Sequence, residues 1–143
     1  DELYASFKSI SNVKFVYDST YDLLKHSDAA LVTSGTATLE TGLFKIPQIV
    51  LYRAGSLEYM ALKKLVKVKY ISLVNLIADK LVIKEMIQDE MNFKSINTEL
   101  QKILNDNHYR SEMLAEYNRI YDILNTGSAS ENAAKLMVSY LTQ

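Results

Sequence analysis

Ser27-Asp28-Ala29-Ala30-Leu31-Val32-Thr33-Ser34-Gly35-Thr36-Ala37-Thr38-Leu39-Glu40 is the stretch on which the reading of this chain turns. Ala29 to Thr33 form a continuous run, as expected of a parallel strand covered on both faces. Ser34-Gly35-Thr36 breaks the run, and Thr38 to Phe44 reads as a helix. In open α/β sheets, ligands bind outside the carboxyl ends of the strands. A helix starting there presents unpaired backbone N–H groups and a partial positive charge. Gly35 lets the backbone approach an anion, and Ser34, Thr36 and Thr38 add hydroxyl donors. The pattern is a candidate diphosphate cradle. Glu40, about one turn into the helix, is placed to accept hydrogen bonds from ribose hydroxyls. The same residues also fit a plain turn and helix cap, with Glu40 complementing the helix dipole. The stretch is neither a Walker A loop nor a GxGxxG fingerprint. No NAD-type cofactor is expected, and no other cofactor either.

Outward from this stretch, strands and helices alternate. Residues 2–10 space their apolar side chains like a helix, and 13–17 (VKFVY) read as a short strand. Asp18, Ser19 or Thr20 can cap a short helix over 21–25. Gln48-Ile49-Val50-Leu51-Tyr52 is a second apolar strand. Residues 56–67 read as an amphipathic helix, Tyr70-Ile71-Ser72-Leu73 as a further strand, and 81–89 as a helix. From residue 94 onward only helical periodicity is found, over 94–104, 107–124 and 129–141. Ser128, with Glu131 three residues on, has the form of a capping box. The expected fold is α/β: a Rossmann-like parallel sheet over residues 1–93 and a helical C-terminal tail over 94–143. The tail carries apolar stripes, Tyr117-Ile120-Tyr121-Leu124 and Leu136-Met137-Tyr140-Leu141, that need a surface to cover them.

Composition narrows the function classes. The chain has 143 residues, 48% of them hydrophobic, with a net charge of −1 at pH 7. That charge offers no basic field to grip nucleic acid. With no cysteine and two separated histidines, His26 and His108, neither disulfides nor a zinc site is expected. No apolar run has the length of a transmembrane helix, and no signal peptide is recognisable. A cytoplasmic protein is the expectation. Residues 57–69 mix apolar side chains with Lys63, Lys64, Lys67 and Lys69. That segment can lie against anionic lipid, or simply on the sheet with a solvated basic face.

The string Ser34-Gly35-Thr36-Ala37-Thr38-Leu39-Glu40, then Pro47, then Val50-Leu51-Tyr52-Arg53, resembles the C-terminal half of the lipid-A-disaccharide synthase family. So do the strings Leu65 to Ala78, Lys84-Glu85-Met86-Ile87-Gln88 and Gly127-Ser128-Ala129-Ser130-Glu131. The motifs occur in order at compatible spacing and cover about residues 20–141. Two departures are visible. Val74 stands where the family usually has proline, and Asp79-Lys80 where it often has Gly-Arg. The second keeps a positive charge without arginine's bidentate fork.

The resemblance implies one half of a metal-independent, inverting glycosyltransferase of the GT-B type, at the inner membrane of a Gram-negative bacterium. It implies a UDP-2,3-diacylglucosamine donor and a lipid acceptor bound by a separate N-terminal domain. That domain also supplies the catalytic base, so no residue of this chain is a candidate for it. The donor set implied here is Ser34, Gly35, Thr36, Thr38, Glu40, Arg53 and Asn75. Arg53 and Asn75 are each expected at a strand's carboxyl end, though Arg53 can also be a surface residue pairing with Glu58, and Asn75 a turn residue. Glu85 and Gln88 are weaker candidates, as helix surface or sheet support. The family's C-terminal domain opens with a strand and a Gly-Ser-Arg-type loop that this sequence lacks, so the Rossmann unit is expected to be incomplete and to expose a sheet edge. A homodimer, domain-swapped or not, is expected to cover the last helix. Alternatives are another UDP-sugar transferase of the same type, a UDP-GlcNAc 2-epimerase-like domain, or a non-catalytic assembly module.

Overall fold

The computed structural model describes residues 2–33, 35–55, 69–125 and 127–141, with the side chains of residues 2 and 3 left aside. Three strands form a parallel sheet in the order β1 (Ala30–Thr33), β2 (Gln48–Tyr52), β3 (Glu85–Ile87). Around it lie α1 (Thr20–Lys25), α2 (Thr36–Leu43), α3 (Leu73–Ala78), α4 (Phe93–Asn105), α5 (Asn107–Leu124) and α6 (Ala129–Leu141). The fold class is the α/β arrangement expected from the alternation, with a helical C-terminal region.

The central strand explains the core. β2 is flanked on both sides, so Ile49 and Val50 have no solvent exposure. They share one cluster with Val74 of α3, Met86 of β3, Ile103 of α4, and Met113, Tyr117 and Ile120 of α5. The helices α4 and α5 therefore close the same core that the sheet opens. α4 is capped by Asn92, whose side chain accepts from Ser95 N, and α5 by Asp106, which accepts from Tyr109 N at 3.0 Å. The expected Ser128 cap of α6 is present, with Glu131 N donating to Ser128 Oγ at 3.3 Å. Gly42 of α2 lets α3 and α5 come close: a Cβ there would stand 3.3 Å from Val74 Cγ2 and 3.5 Å from the Tyr117 ring.

Four sequence readings are corrected. Residues 13–17 form no strand; Val13, Val16 and Tyr17 are exposed, and β-branched residues without a partner strand have nothing to pair with. Residues 70–73 form no strand either, because Ser72 caps α3, its Oγ accepting from Asn75 N. The stretch 81–89 is not a helix: it contains β3 and a 3₁₀ turn over Gln88–Glu90. Finally, β1 is not covered on both faces. Among the described residues it is an edge strand, and Leu31 is half exposed. The amphipathic helix expected over 56–67 lies outside the described residues.

Candidate functional site

The parallel strands bring their carboxyl ends to one side. The register pairs Thr33 with Leu51 and Tyr52 with Ile87. The Gly35 turn, Arg53 and Gln88 therefore follow directly from three neighbouring strand ends. Gly35 caps α2 with φ 140° and ψ −165°, a conformation that side-chain-bearing residues rarely adopt. Among the described residues, nothing beyond its chain neighbours lies within 4 Å of where its Cβ would be, so its backbone conformation is what favours the glycine. Thr36, next to it, is exposed at the first turn of α2. Arg53 is exposed one residue past β2. This part of the expected constellation is brought together at one edge of the sheet.

Other members stand elsewhere. Thr38 has no exposed surface, and its hydroxyl donates to Gly35 O at 2.8 Å. It closes the turn from beneath and presents no donor to the surface. Asn75 lies in α3, not at a strand end, and is fully buried. Its Nδ2 donates to Ile83 O at 2.9 Å and to Glu85 Oε1 at 2.8 Å, while its Oδ1 accepts from Val82 N and Ile83 N. Both amide protons and both lone pairs are used inside the chain, so Asn75 has no capacity left for a ligand. Ser34 and Glu58 lie outside the described residues.

Glu40 is half-buried and lines an open pocket of about 570 Å³ with Asp18, Ser19, Thr20, Tyr21, Asp22 and Lys25. Tyr21 stacks on Phe44 at 5.1 Å, which fixes α1 against the end of α2. The sequence reading took Asp18-Ser19-Thr20 only as a helix cap. Their hydroxyls and carboxylates in fact share a wall with Glu40, a setting suited to a polyhydroxylated ligand. Ser19 precedes α1 without a side-chain cap bond, the one local signal that its hydroxyl serves no helix.

Glu85 and Gln88 turn out to be organising residues. The Glu85 carboxylate, 8% exposed, accepts from Ile71 N at 3.0 Å, Ser72 N at 2.9 Å, Ser72 Oγ at 2.7 Å and Asn75 Nδ2. It is sheet support and not helix surface. Gln88 Nε2 donates to Ala54 O at 3.0 Å.

A second pocket, of about 340 Å³, lies before β3 and includes Lys80, Tyr109, Glu112 and Glu116. Lys80 pairs with Glu116 at 2.6 Å. Burial, reinforced by the bond its hydroxyl donates to Glu99, pushes the Tyr109 phenol up. Tyr117 is pushed up the same way by burial, partly offset where Gln48 Nε2 donates to its oxygen at 3.3 Å. Both phenols are neutral packing groups at physiological pH. Among the described residues, no group of three His, Cys, Asp or Glu side chains is arranged to hold a metal ion.

Comparison with known proteins agrees with the ordered motifs. The family model described as lipid-A-disaccharide synthetase matches residues 3–138. The lipid-A-disaccharide synthase of Syntrophus aciditrophicus is 37% identical over 129 residues, 90% of this chain and 34% of that protein. Those of Psychromonas ingrahamii and Pseudomonas paraeruginosa are 41% and 42% identical, over 83% and 71% of this chain and 30% and 27% of theirs. The chain thus spans about a third of the length of the curated relatives it matches. A match over nearly every described element shows that the chain belongs to the lipid-A-disaccharide synthetase family.

Proposed function

We propose that this chain is the donor-binding part of an inverting glycosyltransferase. The protein that carries it transfers 2,3-diacylglucosamine from UDP to 2,3-diacylglucosamine 1-phosphate, releasing UDP and the disaccharide 1-phosphate. In such a displacement the acceptor hydroxyl attacks the anomeric carbon, its proton passes to a base, and the diphosphate leaves with the bonding pair. The base comes from residues outside this chain. This chain's task is to bind the nucleotide and stabilise the charge that gathers on the departing diphosphate.

The observation that carries the reading is the glycine-dependent turn that opens α2 beside Arg53 at the carboxyl ends of β1 and β2. The first-turn amides of α2 and the Thr36 hydroxyl face the diphosphate, and Arg53 supplies a guanidinium fork without a metal. Glu40, with the hydroxyl-lined pocket beside it, accepts from the ribose. Thr38 acts indirectly by closing the turn. The protein works in the cytoplasm at the surface of the inner membrane. No described helix is long and apolar enough to cross a membrane.

Calorimetric titration of UDP, with UMP and ADP as controls, tests this. UDP is expected to bind in preference to both controls. Arg53→Ala is expected to weaken it by roughly tenfold or more, the scale of a charge-assisted contact to phosphate, and Glu40→Ala by a smaller factor. Equal heats for ADP and UDP, or unchanged binding in both variants, would overturn the assignment.

A further inference from the structure

The ladder between β2 and β3 stops at an unusual residue. Its last pair is Tyr52 with Ile87. Arg53 and Gln88 each follow that last pair by one residue, and there the ladder ends. Gln88 has φ 52°, a left-handed conformation, and opens the 3₁₀ turn that leads the chain away. Glycine or asparagine would adopt this conformation more cheaply. A glutamine held there points to a use for its side chain. That use is visible: Gln88 Nε2 crosses to β2's exit and donates to Ala54 O at 3.0 Å. The side chain replaces the backbone ladder at the point where the backbone turns away. The carbonyl it holds belongs to the residue next to Arg53.

We propose that Gln88 is a positioning residue for Arg53, fixing the turn after β2 so that the guanidinium is presented at the carboxyl ends of the strands. The proposal rests on the donor-site reading of Arg53. A bound carbonyl at Ala54 removes rotational freedom from the Ala54–Gly55 peptide, and so from the backbone of the residue that adjoins Arg53. An exposed arginine gains affinity for a diphosphate when its backbone is ordered before the ligand arrives. Gln88 does this without touching the ligand.

The test is a double-variant cycle read by UDP titration and thermal unfolding. Gln88→Gly removes the amide and accepts the left-handed conformation without strain. Its melting temperature is expected to stay level or rise, while UDP affinity falls roughly five- to tenfold, the scale expected from loss of preorganisation. In an Arg53→Ala background the same change is expected to cost little further affinity, because the group being positioned is gone. Gln88→Glu, which keeps the length but cannot donate to a carbonyl, is expected to behave like Gln88→Gly in binding. Losses that multiply in the double variant would mean that Gln88 acts independently of Arg53, and would overturn positioning while leaving the donor site standing. A fall in melting temperature with unchanged UDP affinity would reduce Gln88 to a structural lock and overturn it too. If the unsubstituted protein does not bind UDP, the donor-site reading fails, and the positioning role fails with it.

Discussion

Glu85 illustrates how a charged residue can be structural in a protein that also needs charges for its ligand. Its carboxylate is nearly buried and takes hydrogen bonds from Ile71, Ser72 and Asn75. Asn75 in turn holds the 82–83 backbone that leads into β3. The stretch 71–75 and the stretch 82–85 are thereby pinned together. Removing the carboxylate takes the acceptor away from the buried Ser72 N–H and hydroxyl, from one amide proton of buried Asn75 and from the half-buried Ile71 N–H, and a buried group left unsatisfied costs about 1–3 kcal/mol. Glu85→Ala is therefore expected to lower stability by roughly 3–5 kcal/mol, read from the urea midpoint at unchanged m-value. A loss below about 1 kcal/mol, the worth of an ordinary exposed contact, would show that water replaces the carboxylate easily. The string Ser72-Leu73-Val74-Asn75 reads as a ligand contact only through the family resemblance; its residues alone read as a turn. Sequence spacing cannot reveal that its amide is already saturated, since the partners lie up to ten positions away, at Val82, Ile83 and Glu85.

At the scale of elements, α2 is the junction. Its N-terminus forms the Gly35 turn, and its far end packs against α1, α3 and α5. Gly42 sits at that junction, and two effects compete there. Replacing glycine within a helix by alanine gains about 1 kcal/mol of propensity. The added methyl would meet Val74 at 3.3 Å, closer than ordinary van der Waals contact, and overpacking costs about 1–3 kcal/mol. Gly42→Ala is thus expected to be close to neutral in a thermal melt. Gly42→Leu, with three more carbons facing Val74 and Tyr117, is expected to lose clearly more than 2 kcal/mol. Equal melting temperatures for the two variants would show that α2 is free to shift. The helices themselves were largely readable: α2, α4, α5 and α6 fall within about two residues of their expected bounds. β3 was missed because Leu81 to Ile87 fits helix and strand periodicity alike in so short a run. Only pairing with β2 decides the matter.

For the whole molecule, the unresolved tension is exposed apolar surface. α6 has no buried residue, and Leu136, Met137, Val138, Tyr140 and Leu141 are each at least 60% exposed. Among the described residues, β1 leaves an edge open beside exposed Leu31. Surfaces of this kind seek a partner, and a second copy is the partner proposed here. Sedimentation at increasing concentration is expected to show self-association that Met137→Glu with Leu141→Glu abolishes. A chain that stays monomeric at high concentration would refute it. Several features were settled by the sequence by itself: the alternation of strands and helices, the strands at Ala30–Thr33 and Gln48–Tyr52, the glycine turn between them, and the family, since all are written in local composition and order. Only the tertiary structure decided that Thr38 and Asn75 are interior, that Glu85 ties residues 71–75 to β3, and that Asp18 to Asp22 and Lys25 share a pocket with Glu40. It alone brought the Gln88 side chain to the Ala54 carbonyl, next to Arg53. The reason is physical. Burial and hydrogen-bond saturation depend on which distant segments arrive at a residue, and strand register, which sequence periodicity does not encode, determines who arrives.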